Sequence, residues 1–163
     1  MPLDDIPLTI IDGRSTSFGE FAGGAVLVVD VASRCGFTPQ YEQLEALQRR
    51  YADRAFTVLA FPSDQFRQEL DSDEAVADYC SATWGVTLPM SARVELNGPA
   101  RHPLFAELTR AADLDGEAGD VRWNFEKFLV TRSGEVVRFR SAVRPDDPDI
   151  TGRIEAALER DAA

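Results

Sequence analysis

An apolar run near the start of the chain gives way to a helical pattern within a few residues. Residues 26–32 read VLVVDVA, with Asp30 as the one polar position. This length and β-branched composition predict a strand that is buried on both faces. Thr38 can cap a helix and Pro39 suits a first helical position. Apolar residues then recur at helical spacing, at Tyr41, Leu44, Leu47 and Tyr51.

A second buried strand follows this helix. Residues 56–61 read FTVLAF, and Pro62 ends the run. A strand, a helix and a second strand form a right-handed crossover, so the two strands are expected to be parallel neighbours. Residues 62–70 then form a loop at the carboxyl end of the sheet, where open α/β sheets bind their ligands. We expect this loop to face the loop that follows the first strand.

The remaining pattern predicts short elements joined by turns. Before the first core strand, it predicts a hairpin over residues 8–17 that turns at Asp12-Gly13. After the second core strand, it predicts a helix over 71–82 capped by Asp71 and Glu74, a strand over 91–96, a helix over 103–112, a surface loop over 114–121, a hairpin over 128–139 and a terminal helix from about Asp149.

This order of elements predicts the fold class. A β-α-β unit followed by a hairpin and a terminal helix is the layout of a thioredoxin-like α/β fold. We expect a central mixed β-sheet flanked by helices, with an N-terminal β-hairpin. The length of 163 residues suits one domain over residues 1–163. The C-x-x-C motif is absent, because Thr38 stands where its second cysteine would fall.

Cys35 is the residue with the clearest chemical potential. It lies just before the predicted helix, where unpaired backbone N–H groups and the helix dipole favour a thiolate over a thiol. The thiolate is the nucleophilic form of cysteine, so this position indicates reactivity. The alternative is that Cys35 is a small buried hydrophobic residue.

Composition excludes several classes of protein. The chain has 17 basic and 28 acidic residues, and a net charge of −11 argues against binding nucleic acid or anionic membranes. The first residues lack the pattern of a signal peptide, and no apolar stretch has the length of a membrane span. We therefore expect a cytoplasmic protein. Two cysteines and one histidine cannot fill a structural zinc site, and no cofactor is expected.

Three segments resemble the glutathione peroxidase family in order and spacing, and in particular its thioredoxin-dependent two-cysteine type. They are VASRCGFTPQYEQLEALQRRY around Cys35, AFPSDQFRQE over residues 60–69 and WNFEKFLVTRSGEVV over residues 123–137. The segment HPLF over residues 102–105 lies between the last two. The resemblance therefore covers nearly the whole chain.

The resemblance implies a set of catalytic residues. Cys35 stands at the position of the peroxidatic residue, and Gln68, Trp123 and Asn124 stand at the positions that surround it. Side-chain amides and the indole N–H are donors that can stabilise a thiolate and orient a peroxide. The second segment is one residue shorter than the family's pattern, so Gln65 is an alternative for the glutamine. Asp30 and Asp64 replace common asparagines, and Asp30 brings a negative charge near the site.

Cys80 matches the position of the family's resolving cysteine, although a buried core cysteine is the alternative. The resemblance implies a thiol peroxidase for hydrogen peroxide and organic or lipid hydroperoxides. In this cycle Cys35 becomes a sulfenic acid, condenses with Cys80, and is recycled by thioredoxin. A disulfide needs α-carbons within about 7 Å, so the helix over 71–82 is expected to unwind.

Other functions stay open at this point. They are a glutathione-dependent peroxidase, a non-enzymatic sensor that passes its disulfide to a partner protein, and an inactive member of the family. The segment between Phe105 and Trp123 carries no long insertion, which in this family is typical of monomers or dimers.

Overall fold

The computed structural model describes residues 2–162, and a four-stranded sheet lies at its centre. The strands are β1 (Pro7–Thr9), β2 (Ser15–Ser17), β3 (Ala25–Val31), β4 (Phe56–Pro62), β5 (Lys127–Val130) and β6 (Val136–Phe139). The helices are α1 (Gln40–Arg50), α2 (Asp73–Tyr79), α3 (Pro103–Leu108) and α4 (Pro148–Ala162). Within residues 2–162, no helix has both the length and the apolar character needed to cross a membrane.

The central sheet is mixed, as predicted, and has the strand order β4-β3-β5-β6. β3 pairs in parallel with β4 and antiparallel with β5, and β5 pairs antiparallel with β6. The predicted parallel neighbours and the predicted C-terminal hairpin are therefore confirmed. β1 and β2 form the predicted N-terminal hairpin, whose turn places Gly13 at a φ of 94°.

Strand β3 is buried along its whole length because both faces of the sheet are covered. Leu27 and Val29 face a core that includes residues of α1 and α4, while Val26 and Val28 face a core that includes residues of α3. This alternation is the period of two expected of a strand, hidden in the sequence because both faces are apolar. The carboxyl end of β3 is therefore held between the two cores that cover the sheet.

The predicted strand over residues 91–96 is wrong. The segment forms only an isolated bridge at Ser91, and its later residues have no regular structure. Its amides bond to the edge of β4 at irregular intervals, with Ser91 N donating to Ala60 O and Val94 N to Pro62 O, each at 2.9 Å. The segment therefore covers the edge strand without extending the sheet.

The predicted helix over residues 71–82 is shorter than expected and begins later. Ser72, not Asp71, is the N-cap, and its hydroxyl accepts a hydrogen bond from Ala75 N at 3.1 Å. After α2 ends, residues Cys80–Trp84 form one π-helical turn, and Gly85 stops it at a φ of 59°. A short α-helix followed by a wide turn is a weakly held element, since few backbone bonds secure it.

Candidate active site

Cys35 lies in the turn between β3 and α1, where it is 7% exposed. The Thr38 hydroxyl accepts a hydrogen bond from Cys35 N and donates one to Ala32 O, both at 2.9 Å. Thr38 was expected to cap the helix, but α1 begins at Gln40 and Pro39 occupies the N-cap position. Thr38 instead clamps the turn that presents the cysteine.

The Cys35 sulfur accepts a hydrogen bond from the backbone of its own turn. Among residues 2–162, only Phe37 N lies within hydrogen-bonding distance of it, at 3.4 Å. A backbone N–H donor can stabilise a thiolate that forms at this position. Cys35 thus precedes α1, as predicted, but its backbone donor belongs to the turn and not to the helix.

The loop after β4 faces the Cys35 turn, as predicted. Arg34 N donates to Gln68 O at 2.8 Å, and Ser33 N donates to Glu69 Oε1 at 3.1 Å. The Gln68 side chain is half-buried, and its amide nitrogen lies 3.5 Å from Arg67 O. The backbone of Gln68 is therefore fixed beside the Cys35 turn, while its side chain makes one long hydrogen bond within the described chain.

The other candidate glutamine has a different role. Gln65 Oε1 accepts hydrogen bonds from Leu96 N and Asn97 N at 2.7 and 2.8 Å, and its amide nitrogen donates to Asn97 O at 2.7 Å. Both ends of the amide therefore hold the neighbouring segment. Asp64 also serves the loop, since its Oδ1 accepts from Glu69 N at 3.2 Å.

Trp123 and Asn124 lie in the turn before β5. Trp123 is 37% exposed, and its ring packs on Phe66 with 5.4 Å between centroids. Asn124 is fully buried, and neither atom of its side-chain amide has a hydrogen-bond partner in the described part of the chain. A buried amide without a protein partner is unusual and marks a group available to a ligand or a reacting side chain.

Asp30 fixes this turn from the end of β3. Its backbone carbonyl accepts from Phe125 N at 2.6 Å, and its Oδ1 accepts from Glu126 N at 2.9 Å. Phe125 has a φ of 64°, so these bonds hold it in a conformation that a non-glycine residue rarely adopts. The strand that leads to Cys35 therefore also positions Asn124.

Burial governs the charge of Asp30. It raises the pKa of this carboxyl well above its usual value, and the nearby Glu126 carboxylate reinforces the effect. Lys127 is equally buried; burial lowers its pKa to about 7, and its amine donates to Ser141 O and Val143 O at 3.0 and 2.5 Å. Burial therefore acts against a negative charge on Asp30.

Cys80 is a buried free thiol at the start of the π-helical turn, 3% exposed. Burial raises its pKa to about 11; the Tyr41 hydroxyl opposes this rise, and the charge of Glu69 adds to it. Cys35 is also a free thiol, and both cysteines belong to the same apolar cluster. The reduced protein therefore keeps Cys80 protonated and out of solvent.

Sequence reasoning missed the residues that hold this site together. Glu69 and the clamping role of Thr38 were not predicted, and Asp30 was considered only for its charge. Glu69 sits in a loop without periodicity, and its partner Ser33 is 36 positions away. Its one signal was its position directly after Gln68.

Comparison with known proteins shows which family this chain resembles. A family model described as glutathione peroxidase matches residues 4–109. The chain is 46% identical to the thioredoxin/glutathione peroxidase BtuE of Escherichia coli, over 92% of this chain and 93% of the relative. It is also 46% identical to a hydroperoxy fatty acid reductase of Synechocystis, over 91% and 90%. A glutathione peroxidase-like peroxiredoxin 2 of Saccharomyces cerevisiae is 44% identical, over 84% and 86%.

Solved structures show the same architecture. The crystal structure of Trgpx in apo form matches with a TM-score of 0.76 and 32% identity, over 98% of this chain and 97% of that chain. A thiol:disulfide interchange protein of the thioredoxin family from Chlorobium tepidum matches with a TM-score of 0.63 at 21% identity, over 97% of each chain. The second match concerns the fold alone, and it confirms the predicted thioredoxin-like class.

Proposed function

Because this chain belongs to the glutathione peroxidase family, and is therefore a thiol peroxidase acting on hydroperoxides, we propose that Cys35 is its peroxidatic residue. The observation that carries this assignment is the setting of the sulfur, which lies in the turn between β3 and α1 and accepts a hydrogen bond from Phe37 N. Gln68, Trp123 and Asn124 are the proposed partners, and the unpaired amide of buried Asn124 supports this role.

The first step oxidises Cys35. Its thiolate attacks one peroxide oxygen, the O–O bond breaks, and the other oxygen leaves as water or an alcohol after taking a proton. The sulfur loses two electrons to the peroxide and becomes a sulfenic acid. Donors near the sulfur stabilise the thiolate before attack and the leaving oxygen after it.

The second step joins Cys35 to Cys80. The Cys80 thiol displaces the sulfenic hydroxyl, so a disulfide forms and one water is released. Cys80 is buried and protonated in the reduced protein, so α2 and the π-helical turn must open first. The short length of α2 and the Gly85 stop support this opening.

The proposed reductant is thioredoxin, and the proposed substrates are hydrogen peroxide and organic or lipid hydroperoxides. The names of the relatives from E. coli and yeast support a thioredoxin-type reductant, and that of the Synechocystis relative supports fatty-acyl substrates. The half-exposed Trp123 on Phe66 gives the proposed site an apolar rim that suits an acyl chain. The proposed location is the cytoplasm, where a reducing pool keeps thiols free.

Coupled turnover tests this function. With thioredoxin, thioredoxin reductase and NADPH, wild type should consume NADPH upon addition of hydrogen peroxide, and Cys35→Ser should not. Cys80→Ser should lose thioredoxin-supported turnover while keeping one fast oxidation of Cys35. If glutathione alone sustains the same turnover in Cys80→Ser, the glutathione-dependent alternative holds instead.

A further inference from the structure

A buried carboxylate ties the Cys35 turn to the segment that leads into α2. Glu69 is 4% exposed, and its Oε1 accepts hydrogen bonds from Ser33 N at 3.1 Å and from Leu70 N at 2.8 Å. Ser33 lies two residues before Cys35, and Leu70 lies two residues before Ser72, the N-cap of α2. Glu69 Oε1 therefore links the turn that contains Cys35 to the residues that precede α2.

A second link lies next to the first. Arg34 N donates to Gln68 O at 2.8 Å, and Glu69 N donates to Asp64 Oδ1 at 3.2 Å. Together with the bond from Ser33 N to Glu69 Oε1, the bond from Arg34 N to Gln68 O joins residues 33–34 to residues 68–69. Since Gln68 accepts one of these bonds and Glu69 the other, they fix the backbone of Gln68 relative to the Cys35 turn.

The environment of Glu69 is a costly one for a carboxyl group. Its Oε2 is buried without a hydrogen-bond partner among residues 2–162. Burial raises the pKa of Glu69, hydrogen bonds from Ser33 and Leu70 oppose this, and the charge of Asp64 adds to it. Burying a carboxyl group is unfavourable unless specific interactions offset it. The hydrogen bonds that Oε1 accepts from the backbone N–H groups of Ser33 and Leu70 offset part of this cost.

We propose that Glu69 is a positioning residue for the peroxidase reaction, which holds Gln68 and the Cys35 turn in register in the reduced protein. The inference rests on the proposed function, because it takes Cys35 as the residue that reacts with peroxide. Glu69 acts through its neighbours and does not contact the sulfur.

Two substitutions separate the hydrogen bonds of Glu69 from its charge. Glu69→Ala removes both, whereas Glu69→Gln keeps a carbonyl oxygen that accepts from the same two amides. Stopped-flow fluorescence with hydrogen peroxide would give the second-order rate constant of Cys35 oxidation. Glu69→Ala should lower it by about 10-fold to 100-fold, the loss typical of a misplaced catalytic group. Glu69→Gln should restore it to within a few-fold of wild type.

A matched control lies on α2. Glu74 is exposed and makes no ion pair within the described residues, so Glu74→Ala removes the same charge without touching the link. Its oxidation rate should equal that of wild type. Amide hydrogen exchange should show loss of protection at Ser33 and Leu70 in Glu69→Ala alone.

The outcomes distinguish the two levels of the proposal. If wild-type Cys35 fails to react with peroxide, the proposed function is wrong. If wild type reacts quickly and Glu69→Ala reacts equally quickly, the positioning role is wrong, as it is if Glu69→Gln is as slow as Glu69→Ala. If Glu69→Ala does not fold, Glu69→Asp carries the test, because its shorter side chain withdraws the acceptor. A wild-type rate in that variant contradicts the role.

Discussion

Cys80 should be unreactive in the reduced protein, although it is proposed to react with oxidised Cys35. Its pKa of about 11 exceeds the ordinary value of 9.0 by two units. Each unit reduces the thiolate fraction tenfold, so at pH 8 the folded protein should carry about 100-fold less Cys80 thiolate than the unfolded chain. Cys80 is also only 3% exposed, which further slows its reaction with thiol reagents.

The rate of alkylation measures the reactivity of Cys80 directly. In Cys35→Ser, Cys80 is the remaining thiol. A timed pulse of iodoacetamide at pH 8, read by intact mass, should label folded protein at least about 100-fold more slowly than protein in urea. Labelling at the same rate in both conditions would show that the buried position is not populated, and the need for α2 to open would disappear.

The same shift predicts a pH dependence of stability. The folded pKa of Cys80 is raised, so the contribution of its neutral thiol is complete below pH 9 and is lost as pH rises towards 11. The loss should be about 1.4 kcal/mol per pH unit, or on the order of 3 kcal/mol in total. Comparing urea unfolding of Cys35→Ser with that of Cys35→Ser/Cys80→Ala isolates the contribution of Cys80 to the unfolding free energy. A difference in unfolding free energy that stays flat above pH 9 would refute it.

Two further predictions concern β3. Gly24→Ala would place a Cβ 1.8 Å from Ala55 O, so it should lower the unfolding free energy by about 1–3 kcal/mol or more. Gly23 has nothing within 4 Å of the position that a Cβ would take, so Gly23→Ala should change the unfolding free energy by less than about 1 kcal/mol in the same urea titration. Asp30→Asn should gain stability relative to wild type as pH rises above 3.8, because the neutral acid is the form that folding favours. Urea unfolding at about pH 4 and about pH 8 measures this, and a difference independent of pH would contradict it.

The elements that the sequence predicts well are those with a long, uniform pattern. The buried runs of β3 and β4 and the helical spacing of α1 predicted a parallel pair with a crossover, and the structure confirms it. The segment over residues 91–96 was predicted as a strand, and its apolar residues alternate as those of a strand do. Its amides nevertheless bond to β4 at irregular intervals, which composition does not reveal.

The candidate site was predictable as a set of residue types but not as a set of contacts. Family motifs pointed to Gln68, Trp123 and Asn124, while the links that hold them join distant parts of the chain. The bond from Ser33 to Glu69 spans 36 positions, and the bond from Glu126 to Asp30 spans 96. No local pattern encodes such pairs, because each residue taken alone reads as an ordinary polar residue.

The most direct test of the account is the intact mass of the protein after one equivalent of hydrogen peroxide, measured without reductant. Wild type should lose two hydrogen atoms and both free thiols if Cys35 and Cys80 form the proposed disulfide. Cys80→Ser should instead gain one oxygen atom at Cys35, and Cys35→Ser should remain unchanged. Retention of both thiols in wild type, or oxidation of Cys80 in Cys35→Ser at the wild-type rate, would contradict the account.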